Sequence, residues 1–488
     1  MKIVIASSEA VPFIQTGGLG DVAGNLAVEF SEAKHEVILL LPFYKSIRAK
    51  AKNYSIAIKK KSIQMGDVVL ECNVWLYQPM NHLRVYFIEY DYYFNREPIY
   101  DDGYNAYFDN GARFAFFSKA CLDILVHLSF KPDVVLCNDW QTALIPYYLK
   151  CWEWKNHFFK NTASILAIHN ISYQGQTDLS FSKYMGLNWM QVREDEFEAL
   201  QAINLLKGGF FYADQITTVS PSYAEEILME PGGYGLSPYL NRRKDDIAGI
   251  LNGIDTKEWN PMLDHYIPKP YNHNTLKNKV FSKLKLQEKF LLKKDQLVPV
   301  FGFIGRLAYQ KGIDILAKCL DDILQWDIQL VFLGAGDRYY SDLFGNLPKK
   351  YPGKVGTYIG FNVELSHLIE AGSDFFLMPS YFEPCGLNQM YSMTYGTLPI
   401  VHAIGGLKDT VENFDVKNNR GTGFAFNDMT EDALKNTIGW ALHSWYHEKE
   451  ALKKAQIRAM KKDFSWKQSI KQYDQVFKSA IARKKGWH

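Results

Sequence analysis

Two cations, Arg306 and Lys311, lie five positions apart in Gly305-Arg306-Leu307-Ala308-Tyr309-Gln310-Lys311-Gly312, directly after an apolar run. Arginine presents a planar fork of donors and lysine a mobile point charge, a pairing able to hold a pyrophosphate and neutralise it as it departs. A solvated basic loop would carry the same residues, but the flanking glycines and the place behind a strand favour phosphate. The second candidate is Pro379-Ser380-Tyr381-Phe382-Glu383-Pro384-Cys385-Gly386-Leu387-Asn388-Gln389. Here Glu383 either accepts hydrogen bonds from the hydroxyls of a polyol or marks a helix N-terminus, and the amides after Cys385 point toward an anion. Cys385 has no His or Asp at nucleophile spacing and reads as a small buried residue. In Thr16-Gly17-Gly18-Leu19-Gly20-Asp21 the glycines bare the backbone N–H groups of a strand-to-helix turn. A phosphate dock and a plain tight turn fit that stretch equally, and the loop before it argues against a dinucleotide fingerprint.

These residues need elements to hold them, and the apolar runs supply them. Residues 2–7, a helix over 21–34 and a strand over 36–41 form a βαβ unit; 132–137 and 164–168 are further apolar strands, ending at Asn138-Asp139-Trp140 and at His169. The pattern restarts with strands at 298–304, 328–333, 355–359 and 375–379 and a helix over 314–324. Near-continuous apolar strands separated by helices predict parallel sheets covered on both faces, hence an α/β chain of two doubly wound Rossmann-like domains with an interdomain cleft. The candidate residues all fall at the carboxyl ends of strands, where open parallel sheets bind ligands. Residues 260–294, rich in Pro, Asn, His and Lys, predict a linker with a short helix rather than core, long enough to hinge.

Composition sets the outer bounds. The chain has 488 residues, 47% hydrophobic and 22% charged, which excludes a disordered or fibrous protein and suits two large domains. Its net charge of +2 offers no bulk field for nucleic acid or anionic lipid. No apolar run reaches the ~18 residues of a membrane span, and no leader pattern follows Met1, so no membrane association and a cytoplasmic location are expected. Six cysteines without a CxxC pair predict reduced thiols. No Asp-x-Asp occurs, so the usual carboxylate pair for a divalent ion is missing and no metal is expected. Aromatics reach 15%, and segment 90–108 carries many of them among Asp and Asn: a candidate surface for stacking on sugar faces, or a packed loop.

Together with His169-Asn170-Ile171-Ser172-Tyr173-Gln174-Gly175, Lys207 in Asn204-Leu205-Leu206-Lys207-Gly208-Gly209, Thr218-Val219-Ser220-Pro221 and Leu251-Asn252-Gly253-Ile254-Asp255, these motifs occur in the order of bacterial glycogen synthases and plant starch synthases. The chain resembles that family from Met1 to about Trp466. The resemblance implies a GT-B fold: an N-terminal acceptor-side domain over 1–255, a nucleotide-sugar domain over 256–466, and a last helix, 467–488, crossing back to the first domain. It implies a metal-independent, cofactor-free, retaining glucosyltransferase that extends an α-1,4-glucan (glycogen or starch) from ADP-glucose, with UDP-glucose the other donor. Arg306 and Lys311 would stabilise the leaving diphosphate, and Glu383 with the backbone of Cys385, Gly386 and Leu387 would surround the donor glucose. His169 would lie beside the reacting sugar. Gln15, Thr16, Gly17 and Gly18 would meet the donor, with Gly18 at its phosphates, and Phe361 would stack on the base. Asp21, Asp139 and Asn252 would line the acceptor and sugar side, with Trp140 and Tyr93 on the acceptor.

The family's opening motif is Lys-Thr-Gly-Gly-Leu, and Gln15 replaces its lysine, removing one positive charge. Either donor choice or activity would feel that loss. No paired-carboxylate signature marks a double-displacement route, so front-side departure, with leaving phosphate and incoming hydroxyl on one face, is favoured. Two rivals stand beside the synthase reading: another retaining GT-B transferase, such as a sucrose- or trehalose-type synthase, and a low-activity glucan-binding paralogue. The sequence leaves the oligomeric state open.

Overall fold

Val, Ile and Leu fill the central strands so completely that neither face can be left to water. The computed structural model describes residues 1–151 and 157–486, and the chain divides into two units, Met1–Leu251 with Trp466–His488, and Asn252–Ser465. The crossings therefore fall at 251/252 and 465/466. Asn252 belongs to the second unit, and no crossing lies near Asn260, where the composition had suggested a hinge.

The first unit is built on a nine-stranded sheet. From one edge its strands are Ile247–Gly249, Gln215–Thr218, Ala163–Ile168, Val134–Asn138, Lys2–Ala6, Glu36–Pro42 and Leu83–Glu89, all parallel, then Val68–Met80 and Ser55–Met65, each paired antiparallel with the strand before it. Numbered along the chain, the parallel strands in that order run 7-6-5-4-1-2-3, so the order reverses between Lys2–Ala6 and Val134–Asn138. The antiparallel pair escapes an apolar-run reading because Ser55–Met65 is half exposed and carries Lys59, Lys60 and Lys61 on an open edge, where lysines discourage pairing with other chains. Helix Trp466–Gly486 packs within this unit, against helix Gly18–Glu32 and strand Ala163–Ile168. The final two residues of the predicted 467–488 helix lie outside the described residues.

The second unit has a six-stranded, all-parallel sheet ordered Val355–Ile359, Gln329–Gly334, Val300–Ile304, Phe375–Met378, Leu398–His402, Phe424–Phe426, which is 3-2-1-4-5-6. Its reversal lies between Val300–Ile304 and Phe375–Met378. Residues 260–294 correct the expectation of a linker. Tyr271 is fully buried against Ala371 and Tyr395, its hydroxyl donating to Tyr395 O at 2.8 Å, while Trp259 is stacked between His367 and Tyr391 at 4.0 and 3.9 Å. The segment looks polar because much of what it buries is polar: Asp264, Lys279, Ser282, Lys283 and Gln287 are buried alongside Ile267, Tyr271 and Leu286. No helix among the described residues is long and apolar enough to cross a membrane.

Tyr271→Phe removes the buried donor and strands the Tyr395 carbonyl, and is expected to cost about 1–2 kcal/mol of the second unit's stability in urea unfolding. An unchanged transition would show that this hydrogen bond contributes nothing.

Candidate active site

In the second unit the loops after four strands surround a cavity of about 350 Å³ lined by Gly305, Arg306, Lys311, Gly334, Phe361, Ser380, Glu383, Gly386, Leu387 and Asn388, among others. Two glycines let these loops meet. A Cβ on Gly334 would sit 1.9 Å from the Gly305 oxygen, and one on Gly312, whose φ is +65°, would sit 1.7 Å from the Pro379 oxygen. Lys311 Nζ donates to Glu383 Oε2 at 2.6 Å, and Ser380 Oγ donates to the same oxygen at 3.0 Å. The other carboxylate oxygen accepts no hydrogen bond from the described residues, so it is available to a sugar hydroxyl. Arg306 Nη2 donates to Gln310 Oε1 at 2.8 Å on the exposed rim. Phe361 is 86% exposed, an aromatic face with nothing stacked on it. Cys385 is buried beneath the cavity; burial pushes its thiol up to about 12, while the Asn252 backbone N–H, bonded to its sulfur, opposes that rise. It is no nucleophile at neutral pH. Asn252 Oδ1 is buried without a hydrogen-bond partner.

In the first unit the turn after Lys2–Ala6 is anchored from below. Buried Glu9 accepts from the Thr16 hydroxyl at 2.7 Å and the Tyr100 hydroxyl at 2.6 Å, and from the Thr16 backbone N–H. Above this anchor Gly17 and Gly18 open helix Gly18–Glu32 without a side-chain cap, and a Cβ on either would meet nothing within 4 Å. Their packing does not require glycine, whereas Gly24 in the same helix would place a Cβ 2.4 Å from the Val11 oxygen. Gln15 donates to Asp21 Oδ2 at 2.5 Å across the turn. Glu9 was invisible as a site residue because it reads as the polar end of an apolar strand; its place on the rim that also holds Asp139 and His169 was the available signal.

Asp139 and His169 follow neighbouring strands. Asp139 is held at φ +53° and accepts the His169 backbone N–H at 2.7 Å. Burial raises its carboxyl to about 7, against the lowering effect of the His169 and Asn170 amides. Burial lowers His169 to about 4, so the ring is neutral at pH 7. Trp140 stands over Gly175, whose hydrogen clears a space a Cβ would close at 2.5 Å from the indole. It lines a hollow of about 430 Å³ with Tyr107, Phe108, Asn110, Tyr173, Gln174 and Tyr234. Tyr107 and Phe108 come from the aromatic segment 90–108, but Tyr93 does not face this hollow. It is 6% exposed, packed on Tyr90 and Phe116, with its hydroxyl 2.9 Å from that of Tyr184. Its expected contact with an acceptor is replaced by a core role, because short helix Asp91–Phe94 turns it inward. Lys207 is likewise structural: its ammonium donates to the Glu194 and Glu198 carbonyls. Among the described residues no three His, Cys, Asp or Glu side chains are grouped to hold a metal.

Two doubly wound units in one chain, the second with a basic, carboxylate-bearing cavity at its strand reversal, are the architecture of a GT-B glycosyltransferase. The family described as starch synthase catalytic domain matches residues 2–242, and glycosyl transferases group 1 matches 284–459. Glycogen synthase 1 of Geobacter metallireducens is 40% identical over 488 residues, covering 100% of this chain and 97% of its own. Glycogen synthase of Thermotoga petrophila is 41% identical, with 99% of each covered. The catalytic domain of starch synthase IV from Arabidopsis thaliana, solved bound to ADP and acarbose, matches with a TM-score of 0.89 at 29% identity over 99% of both chains. Sucrose-phosphate synthase from Thermosynechococcus elongatus, at 18% identity and a TM-score of 0.61, shares the fold alone. The chain belongs to the glycogen synthase and starch synthase family and is a glycosyltransferase.

The shift at Asp139 gives a signed expectation. Between its ordinary 3.8 and about 7 the folded protein holds a proton that the unfolded chain has released, so wild-type stability falls as pH rises through this window and is level above it. Asp139→Asn keeps an acceptor for the His169 N–H and tolerates the positive φ. Its unfolding free energy relative to wild type is expected to rise by the order of 2–4 kcal/mol from pH 4 to 7. A pH-independent difference would mean that Asp139 is ionised throughout.

Proposed function

We propose that this chain extends an α-1,4-glucan by moving glucose, with retention, from a nucleoside diphosphate glucose to the non-reducing end, with ADP-glucose the preferred donor and UDP-glucose the other. The carrying observation is the second-unit cavity, which gathers Arg306, Lys311 and Glu383 at the strand reversal. The relative solved with ADP and acarbose supports a donor of that base and an α-glucan acceptor.

Each residue then has a task. Arg306 and Lys311 meet the diphosphate, Lys311 exchanging its pairing with Glu383 for a phosphate oxygen as charge builds there. Glu383, steadied by Ser380, accepts from glucose hydroxyls, with the amides of Cys385, Gly386 and Leu387 beside it and Asn252 near Cys385. Phe361 stacks on the base. The unobstructed N–H groups at Gly17 and Gly18 are assigned to the donor phosphates, with Thr16 held in place by Glu9 and with Gln15 and Asp21 beside them. His169 and Asp139 attend the reacting sugar, and the aromatic hollow at Trp140 takes the acceptor, since flat rings edged by amides suit sugar faces. The bond from C1 to the phosphate oxygen breaks, the glucan 4-hydroxyl oxygen bonds C1 from the same face, and the departing phosphate oxygen takes its proton. Position and charge supply the catalysis, with no resident metal or cofactor. The location that suits such a donor is the cytoplasm.

Incubation with glycogen and labelled ADP-glucose or UDP-glucose, with and without EDTA, tests this directly. Incorporation into polymer with the new linkage α by NMR is expected, undiminished by EDTA; no incorporation from either donor overturns the reading. Arg306→Ala and Lys311→Ala are each expected to lower kcat about 100-fold or more, some 3 kcal/mol of barrier, at saturating donor. Near wild-type kcat in either would remove it from the leaving-group role.

Gly18→Ala separates packing from ligand approach. With no neighbour to strike, its melting temperature is expected to stay within about 2 °C of wild type, while donor KM rises about 10-fold as the methyl group fills the phosphate's place. A stable variant with unchanged KM would put the phosphates elsewhere.

A further inference from the structure

Three neighbouring strands of the first unit end together, and their final residues are linked. Ala6 closes Lys2–Ala6, Asn138 closes Val134–Asn138, and His169 follows Ala163–Ile168. Asn138 is completely buried, and both ends of its amide are engaged: Nδ2 donates to Ala6 O at 2.9 Å, and Oδ1 lies 2.9 Å from His169 Nε2. A backbone carbonyl oxygen only accepts, so the amide nitrogen must face Ala6 and the amide oxygen must face the imidazole. That oxygen also only accepts, so the imidazole nitrogen opposite it must carry a hydrogen. The backbone of His169 is fixed independently, through its N–H to Asp139 Oδ1.

We propose that Asn138 is a positioning residue for His169, locking the imidazole as its Nε2–H tautomer so that Nδ1, without a proton, meets the substrate as a hydrogen-bond acceptor. The functional half of this rests on the placement of His169 at the reacting sugar. Burial keeps the ring from gaining a second proton at neutral pH, and the nearby carboxylates, Asp139 and its neighbour Glu9, do not offset that burial. Three consequences follow for the chemistry. His169 has no proton on Nδ1 to give, so it is not the acid that assists the departing diphosphate. It carries no charge beside the anomeric carbon. It can accept from a hexose hydroxyl and so turn that hydroxyl, leaving the leaving-group charge to Arg306 and Lys311. The strand register makes the lock rigid, since Asn138 pairs with Ala167 and Cys137 with Ala6 across the same three strands.

The test is long-range 15N–1H correlation of the full chain labelled at histidine, with the His169 signals identified among the 12 histidines by their loss in His169→Gln. The wild-type ring is expected to be Nε2–H around neutral pH; a ring protonated on Nδ1 overturns the proposal and needs no variant to read. Asn138→Leu, similar in size but with neither donor nor acceptor, is expected to show both tautomers and a kcat lower by the order of 100-fold, with donor KM much less affected. Asn138→Asp, protonated at this buried place, can donate to Ala6 O and accept from Nε2, and is expected to restore the tautomer and most of kcat. If Asn138→Leu keeps the Nε2–H tautomer, Asn138 does not set it. If the tautomer is as expected but His169→Gln retains full activity, the lock exists and the placement of His169 at the sugar is what fails.

Discussion

A strand buried on both faces has room for polar chemistry only where it ends, and that constraint shapes both halves of this molecule. The central strands of each sheet are walled by helices, so every donor, acceptor or charge that touches a ligand is displaced to the loops at their carboxyl ends. There the strand order decides which loops are neighbours. In the second unit the reversal separates the loops after Val300–Ile304 and Phe375–Met378, and these hold Arg306, Lys311, Ser380 and Glu383. In the first unit the loops after Lys2–Ala6 and Val134–Asn138 hold Glu9, Gly17, Gly18 and Asp139.

The two rims differ in electrostatic character. The second unit's rim is an ion pair with spare capacity: Lys311 and Ser380 share one oxygen of Glu383, and the other is unengaged. A pair of this kind holds a cation next to a carboxylate while leaving each with unused hydrogen-bonding capacity. The first unit's rim mutes the charge of the two residues that follow its neighbouring strands, Val134–Asn138 and Ala163–Ile168. His169 is uncharged at pH 7, Asp139 is drawn toward its protonated form, and the amides of helix Gly18–Glu32 supply positive potential without a formal charge. Gln15 spends its amide on Asp21, where a lysine would instead offer that carboxylate a countercharge.

Much of this was legible in the sequence, and the reasons are specific. The parallel strands nearest each reversal are apolar runs, so eight of them could be read within a residue or two, and with them the rims where Arg306, Glu383 and His169 stand, whereas Leu83–Glu89, Gln215–Thr218, Ile247–Gly249, Leu398–His402 and Phe424–Phe426 went unread. The antiparallel strands Val68–Met80 and Ser55–Met65 were not legible, because a half-exposed strand with a lysine run has no apolar signature. Residues 260–294 misled in the opposite sense: a polar composition reads as surface, whereas Lys279, Ser282, Lys283 and Gln287 of helix Lys279–Lys289 are buried together with Tyr271 and Leu286. Tyr93 shows the limit of reading exposure from neighbours. Its polar surroundings in sequence belong to Tyr92 and Asp91, which face out while it turns in.

What no spacing could show is which residues hold the chemical ones in place. Glu9, Asn138 and Ser380 are ordinary polar residues at strand ends, and each acquires meaning only through a partner far along the chain: Tyr100 for Glu9, Ala6 and His169 for Asn138, and Lys311, through Glu383, for Ser380. Their hydrogen bonds are saturated by protein, whereas the residues they support retain an open function: the Gly17 and Gly18 amides, one oxygen of Glu383, one nitrogen of His169. That division follows from desolvation. A buried polar group with no partner is costly, so a rim leaves groups unengaged chiefly where a ligand or water can reach them and pairs most of what lies beneath, Asn252 Oδ1 being an exception. Satisfied groups under unsatisfied ones therefore distinguish the open edge of each rim from its support, independently of any motif.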